Sequence, residues 1–219
     1  RGTLDTIHSL PRYFLCAMRD WSAREDMIGI IDYKINIAIC IDSSILLQYK
    51  ITMQHNRSLF IFRQDLRLTD NTALLEAVKA SREVIPVFIL DSEVLQHSPT
   101  GDPRLWFLLD ALVDLDTQLI QQWSWLIVCH GKASSITVEL AQLWWCDAVY
   151  RNRSYGSWSL TRDKEIIDRC QTNDIFYGIY DDHLLVAPEA LPAMKVFTPW
   201  KKRRYTYMKD HPIVVAETA

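Results

Sequence analysis

The sequence has few glycines, and none of them stands in a phosphate-binding motif. Only six glycines occur in 219 residues, and neither GxGxxG nor GxxxxGKS is present. Both motifs use glycine to bring backbone N–H groups close to phosphates, so their absence argues against a classical dinucleotide or P-loop NTPase site. The GxSxG motif of serine hydrolases is absent too. We therefore expect no self-sufficient set of catalytic residues in this chain.

Cysteine pairs with metal-ligand spacing are also missing. The five cysteines lie at positions 16, 40, 129, 146 and 170, without a CxxC or Cys/His pattern. We therefore expect no zinc site and no other metal site. The odd count and irregular spacing favour reduced thiols, which predicts a cytoplasmic, nuclear or organellar protein rather than a secreted one.

Long apolar runs and a strong net charge are absent as well. The longest apolar candidate, residues 28–47, is interrupted by Asp32, Lys34, Asn36 and Asp42. Such a segment is too polar to cross a bilayer, so we expect no membrane association. A net charge of −3 gives the chain as a whole no electrostatic attraction to nucleic acid.

Short apolar runs alternate with amphipathic segments from residue 57 onward. The pattern predicts strands at 58–62, 84–90, 125–129, 148–151 and 175–180, and helices at 72–80, 103–121, 134–143 and 157–170. Strands separated by helices of this length predict an α/β fold. We expect a Rossmann-like, doubly wound sheet of five parallel strands with helices on both faces. The proline-rich tail from residue 181 is predicted to be a loop.

Polar residues follow the predicted strands, at 63–65, 91, 129–131, 151–155 and 181–183. The carboxyl ends of parallel strands meet at one edge of the sheet, where α/β proteins bind their ligands. Loops need polar residues in any case, so no single one of them identifies a site. Taken together they predict a ligand site at this edge.

Aromatic residues near the strand ends suit a flat, conjugated ligand better than a phosphate chain. The residues that could sandwich such a ring are Phe62, Phe88, Tyr150, Tyr155 and Trp158. Those that could bond its heteroatoms are Arg63, Asp91, Arg104 and Asn152. The alternative is that these aromatics belong to the core, where large rings usually lie.

The segment FIFRQDLRLTDN (60–71) ends an apolar strand in a turn crowded with charges. We expect Arg63, Asp65 and Arg67 to organise this turn. Arg67 is predicted to pair with Asp70 or with the nearby Asp91, which would be a structural role rather than a ligand contact.

Six stretches in order resemble the N-terminal domain of the DNA photolyase/cryptochrome family. They are FRQDLRLTDNTAL (62–74), VIPVFILD (84–91), GDPRLWFLLDALVDLDTQL (101–119), AVYRNRSYGSWSLTRDKEI (148–166), DDHLLVAPE (181–189) and KVFTPWKKR (195–203). The resemblance covers about residues 55–205. It divides the chain into an extension outside the family pattern (1–52), a photolyase-type α/β domain (53–192) and the start of an interdomain linker (193–219).

The resemblance implies a light-harvesting function. Photolyases repair damaged DNA by light-driven electron transfer from FAD, which is held in a C-terminal all-helical domain. Their N-terminal domain often binds an antenna chromophore, a folate, a deazaflavin or a flavin. The helical FAD domain is absent from this sequence, so we expect a truncated fragment that contacts damaged DNA only through a full-length parent and is not catalytic alone.

The resemblance also implies chromophore contacts, with departures. The predicted cofactor-binding residues are Phe62, Arg63, Asp65, Asp91, Arg104, Asn152, Ser154 and Trp158. The family's folate-binding Asn-Glu pair is replaced by Trp158 and Ser159, which argues against folate because a charge-assisted partner for the pterin ring is lost. Ser154 stands where deazaflavin binders can carry an acid. Two alternatives stay open: a fragment of a cryptochrome-type blue-light receptor, and a nucleotide-binding α/β domain.

Overall fold

The computed structural model describes residues 53–96 and 102–212. Its centre is a sheet of five parallel strands in the order β3-β2-β1-β4-β5. The strands are β1 (His55–Phe62), β2 (Ser81–Asp91), β3 (Ile127–Gly131), β4 (Ala148–Asn152) and β5 (Phe176–Tyr180). The predicted Rossmann-like sheet is confirmed, and the predicted extension over residues 1–52 lies outside the described part of the chain.

In the described part of the chain, six α-helices connect and flank the strands. They are α1 (Thr72–Ala80), α2 (Ser92–Gln96), α3 (Pro103–Gln121), α4 (Ala133–Leu143), α5 (Ser157–Thr172) and α6 (Phe197–Asp210), with a 3-10 turn at Pro188–Ala190. Helices α1 and α3 pack on one face of the sheet, and α4 and α5 on the other. Within residues 53–96 and 102–212, no helix is long and apolar enough to cross a membrane.

Strand β1 lies in the middle of the sheet and is buried on both faces. Leu59 and Ile61 pack into the core beneath α4 and α5, whereas Phe60 and Phe62 pack into the core beneath α1 and α3. Successive side chains of a strand point to opposite faces. The part of a central parallel strand that is covered on both faces is therefore mostly apolar, and residues 59–62 of β1 are all apolar.

The helix starts follow from local side-chain chemistry. Asn71 caps α1, because its side-chain oxygen accepts a hydrogen bond from the backbone N–H of Leu74. Asp102 caps α3 in the same way, accepting from the N–H of Arg104, and Pro103 occupies the first turn, where its missing N–H costs nothing.

The third strand lies two residues later than predicted. It begins at Ile127 rather than residue 125, because its pairing with β2 places Ile127 beside Val87 and Gly131 beside Asp91. The register with the long strand β2, and not the start of the apolar run, decides where β3 begins.

The tail after residue 181 was predicted to be a loop, but it contains helix α6. The helix buries none of its side chains, so its sequence carries no apolar periodicity from which it could be found. Pro199 lies in its first turn, where proline is tolerated. The basic residues 201–204 therefore lie on an exposed helix, and the assignment of residues 193–219 to an interdomain linker stays a prediction.

Candidate functional site

A cavity of about 660 Å³ opens at the carboxyl edge of the sheet. Its lining comes from the ends of β1, β2 and β4 and from helices α2, α3, α4 and α5. Strands β1 and β4 are neighbours whose crossovers lie on opposite faces, since α1 covers one face and α5 the other. This is the topological switch point, where doubly wound sheets leave a crevice for a ligand.

Apolar side chains form much of the cavity wall. Phe88 and Leu90 come from β2, Leu105 and Leu108 from α3, and Ile166 from α5. A cavity of several hundred Å³ with apolar walls and a few polar groups is typical of a small-molecule site.

A buried carboxylate, Asp163 of α5, holds two arginines at the inner side of the cavity. Its Oδ1 lies 2.8 Å from Nη2 of Arg63, and its Oδ2 lies 2.6 Å from Nη2 of Arg151. The angles of neither contact are those of a hydrogen bond, so both contacts are ion pairs. Arg151 also donates to the hydroxyl oxygen of Tyr177. The side chains of Arg151 and Asp163 are 1% and 6% exposed, so these charges are almost completely removed from water.

Arg63 is a buried guanidinium group with two other guanidinium groups nearby. Burial first, and then the positive charges of Arg151 and Arg162, together lower its pKa to about 10, against the opposing effect of Asp163 and Tyr177. Its side chain is 12% exposed and lines the cavity. Its Nη1 lies 3.4 Å from Oγ of Ser154, another lining residue.

Arg162 borders the same cavity from the first half of α5. Its Nη1 lies 3.3 Å from Oδ2 of Asp91, and its guanidinium carbon lies 4.5 Å from the ring centroid of Trp158. Its Nε is buried without a hydrogen-bond partner and lies 4.0 Å from Asp163. The indole of Trp158 is 42% exposed, so one part of it remains accessible beside the cavity.

Arg104 lines the outer part of the cavity. Its guanidinium group is 83% exposed and forms a two-point contact with Asp102, with Nη2 lying 2.6 Å from Oδ2. The hydrogen bonds lower the pKa of Asp102 and raise the pKa of Arg104.

Six of the eight predicted cofactor-binding residues line this cavity: Phe62, Arg63, Asp91, Arg104, Ser154 and Trp158. The other two, Asp65 and Asn152, do not. They lie in a buried polar network on the α1 side of the switch point. Their role as chromophore contacts stays a prediction without a geometric basis in this cavity.

Asn152 joins β4 to the start of α1. Its Nδ2 donates to Oδ2 of Asp65 at 2.5 Å and to Oδ1 of Asn71 at 2.8 Å. Its Oδ1 accepts from the N–H of Ala73 at 3.0 Å, which satisfies one of the free amides of the helix start. The side chain of Asn152 is therefore fully used in positioning the turn.

Asp65 closes the turn after β1, as expected. Its Oδ1 accepts from the N–H of Arg63 at 2.9 Å, and the amide of Asn71 donates to the carbonyl oxygen of Arg67 at 3.1 Å. Arg67 donates to the carbonyl oxygen of Asp70 and lies 2.7 Å from the carboxylate of Asp182.

Of the two predicted partners of Arg67, Asp70 accepts hydrogen bonds from it through its backbone carbonyl oxygen, whereas the alternative pairing with Asp91 is wrong. Asp91 contacts Arg162 instead, because it ends β2 and faces α5, whereas Arg67 turns toward the end of β5. The sequence shows that both charges lie near strand ends but not on which side of the sheet.

Two of the predicted ring-stacking aromatics do not line the cavity. Tyr150 is 1% exposed and stacks against Tyr180 at a centroid distance of 6.2 Å. Tyr155 donates from its hydroxyl group to Asp181 at 2.7 Å. Phe62, Phe88 and Trp158 are the predicted aromatics that do line it.

Sequence reasoning included Arg151 only as part of the polar rim at 151–155, and it missed Arg162 and Asp163. One signal was present: Asp163 shares the buried face of α5 with Ile166 and Cys170, and a carboxylate on the apolar face of a helix needs a buried partner. Among the described residues, no group of His, Cys, Asp or Glu side chains could hold a metal ion.

The sequence profile of the DNA photolyase family matches residues 58–216. Cryptochrome DASH of Natronomonas pharaonis is 32% identical over 151 residues, covering 64% of this chain and 32% of that protein. Deoxyribodipyrimidine photo-lyase of Agrobacterium fabrum is 31% identical over 144 residues, covering 64% of this chain and 29% of that protein. The chain thus spans about a third of the length of these relatives.

Two solved structures share the fold. An archaeal photolyase from Sulfolobus tokodaii is 32% identical with a TM-score of 0.61, over 74% of this chain and 36% of that one. That crystal structure contains two FAD molecules and implies a novel light-harvesting cofactor. A bacterial class III photolyase from Agrobacterium tumefaciens is 28% identical with a TM-score of 0.67, over 76% of this chain and 35% of that one.

Proposed function

The chain belongs to the DNA photolyase family, and we propose that it is the light-harvesting domain of a photolyase. In this proposal the cavity at the switch point holds a planar chromophore, and a flavin is the favoured one. Energy from the excited chromophore passes through space to a second flavin. Light-driven repair of damaged DNA would then belong to the portion of the relatives that this chain does not match.

The observation that carries the proposal is the combination of apolar walls with buried arginines in one cavity. Leu105, Leu108 and Phe88 offer a slot for the faces of a ring. Arg63 and Ser154 offer donors at one side of that slot, and a flavin ring presents carbonyl oxygens that accept such hydrogen bonds. The S. tokodaii relative with two FAD molecules supports a flavin over a folate.

The residues of this chain would hold and orient the ring without reacting with it. The ion pairs of Asp163 with Arg63 and Arg151 fix the donor side of the cavity to two strands and one helix. Fixed distance and orientation are what energy transfer through space requires. The chromophore, when bound, would supply the light absorption.

Flavin binding by the 219-residue chain tests the proposal. We expect FMN or FAD to bind with quenched or shifted fluorescence, and Leu105→Trp to abolish binding because the larger ring fills the cavity. Leu143→Trp is the matched control, since Leu143 is 49% exposed and does not line the cavity.

The result that would overturn the proposal is a chain that is folded by circular dichroism but takes up no flavin. Equal loss of binding in Leu105→Trp and Leu143→Trp would also count against it, because the effect would then not depend on the cavity.

A further inference from the structure

We propose that the outer edge of β5 is a strand-addition site, and that residues 35–41 of this same chain occupy it as an additional antiparallel strand. The part of the chain before β1 would then complete the sheet. This edge is separate from the cavity, so its occupation is independent of the proposed chromophore binding.

Strand β5 offers free backbone groups. It is the last strand in the sheet order and pairs only with β4 among the described residues. The N–H of Phe176 and the carbonyl oxygen of Tyr180 form backbone hydrogen bonds on the β4 side. Successive residues of a strand turn their N–H and C=O groups to opposite sides, so those of Tyr177 and Ile179 point away from β4.

The same edge carries none of the residues that usually protect it. A free strand edge is commonly blocked by charges or proline, which discourage pairing with another segment. The sequence of β5, FYGIY, contains neither. Strand β3, at the other edge of the sheet, has only buried and half-buried residues, whereas Phe176 of β5 is 47% exposed. We therefore place the addition site at β5.

One face of β5 lacks an apolar cover. The rings of Phe176 and Tyr180 lie beside Tyr150, at centroid distances of 5.7 and 6.2 Å. Gly178 lies between them without a side chain, and a Cβ atom there would approach the Tyr150 ring to 2.8 Å. On the opposite face, Tyr177 packs against the core beneath α5. A strand added here would thus need apolar side chains on one face only.

Residues 35–41, INIAICI, have the required alternation. Isoleucine occupies positions 35, 37, 39 and 41, and the positions between them hold asparagine, alanine and cysteine. This period of two predicts a strand with one apolar face.

The gap at Gly178 suggests the register of the added strand. With Ile39 opposite Gly178, an antiparallel strand places Ile37 beside Tyr180 and Ile41 beside Phe176. Pairs of aromatic and β-branched side chains on neighbouring strands stabilise a sheet.

The connection to β1 is long enough. Residue 53 lies two positions before β1, and only β4 separates β1 from β5, so the start of β5 is roughly 10 Å away. Residues 42–52 can span about 35 Å when extended. An antiparallel strand would end at the amino edge of the sheet, where this connection is needed, whereas a parallel strand would require a crossover.

The connection would pass the start of β4. Trp145 precedes that strand and is 81% exposed, so an apolar side chain is available there for the connection to cover. A tethered segment has a local concentration on the order of millimolar. This favours residues 35–41 over the same segment of a second copy.

Hydrogen exchange of the full 219-residue chain, followed by NMR, tests whether the edge is paired. The amides of Tyr177 and Ile179 should exchange slowly, because both would donate to the added strand. Fast exchange of both amides in the unmodified chain would overturn the proposal.

Two double variants test which segment pairs with the edge. Ile37→Asn with Ile39→Asn places polar groups against the aromatic face of β5, so the two amides should exchange at least about tenfold faster. Ile28→Asn with Ile30→Asn is the matched control, because it makes the same change outside residues 35–41 and should leave the exchange rates unchanged. Equal exchange rates in the two double variants would overturn the assignment to residues 35–41.

A disulfide bond provides an independent measurement. The register places residue 38 opposite Ile179, at a spacing that a disulfide can bridge. In a Cys40→Ser background, oxidation of Ala38→Cys with Ile179→Cys should therefore form a bond within one chain. Ala38→Cys with Ile127→Cys, on β3, is the control and should form none.

The linked species distinguish the possible occupants. A bond found only between two chains would show that a second copy occupies the edge and would overturn the proposal. A bond to position 127 in preference to position 179 would overturn the choice of β5. The absence of any bond to position 179 would overturn the pairing itself.

Discussion

Replacing Asp163 with asparagine should destabilise the domain severely. Asparagine keeps the shape of the side chain but removes its charge, so that Arg63 and Arg151 lose their shared counter-ion. Because Arg151 is 1% exposed and Asp163 is 6% exposed, water cannot take over that function. Removing one partner of a buried ion pair costs about 3–5 kcal/mol, against roughly 0–1 kcal/mol for a pair at the surface.

The measurement is the free energy of unfolding from urea titrations at neutral pH. A loss of about 3–5 kcal/mol is a large fraction of the roughly 5–15 kcal/mol that a domain possesses. Asp168→Asn is the control, because Asp168 is exposed on the same helix, and its effect should stay within about 0.5 kcal/mol. The double variant Asp163→Leu with Arg151→Met should recover much of the loss, since it leaves fewer charges buried without a partner.

A loss below about 1 kcal/mol in Asp163→Asn would refute this reasoning, because the carboxylate would then behave like a surface charge. A double variant that is as unstable as the single one would also refute it, since removing the unpaired guanidinium group of Arg151 would then bring no gain in stability.

Three other predictions follow from the structure. Asn152→Ala should lower the free energy of unfolding by about 2–4 kcal/mol, because the buried amide of Ala73 loses its acceptor, and flavin affinity of the folded protein should not change. Trp123→Gly should raise the stability by about 1 kcal/mol and the melting temperature by roughly 2–4 °C, since Trp123 has φ 60° and is 86% exposed. Burial raises the pKa of Cys170 from 9.0 to about 11. Its stabilising contribution is therefore present below pH 9 and is lost as pH rises toward 11, by up to about 1.4 kcal/mol per pH unit. Urea titrations between pH 8 and 10 should show a shallower decline in Cys170→Ala, and an identical slope would contradict the assignment.

The turn after β1 shows that most residues of a conspicuous motif can have a structural role. Of the charged residues in RQDLR, Arg63 lines the cavity, whereas Asp65 and Arg67 are used to hold the turn and α1 in place. The dense charge of this segment was a correct sign of an unusual turn. It did not indicate which side chains line the cavity, because the local sequence does not show whether a side chain at a strand end points toward the cavity or away from it.

The extent of the strands and helices could be predicted where burial is periodic. Helices α1 and α3 have the predicted limits, because their apolar residues repeat at helical spacing and Asn71 and Asp102 cap them. Helix α6 was missed because none of its side chains is buried among the described residues, so its sequence is not constrained to an apolar pattern.

The sequence by itself determined the α/β class, the parallel sheet and the edge of the sheet at which the cavity opens. These follow from the apolar runs and their spacing, which are local patterns that can be seen directly in the amino-acid sequence. Only the tertiary structure decided that Arg63, Arg151, Arg162 and Asp163 meet in one cavity, and that Asp65 and Asn152 turn away from it. The order of the strands and the rotation of the helices decide which charged residues meet when they lie about a hundred positions apart. Neither can be inferred from the residues next to them in the sequence.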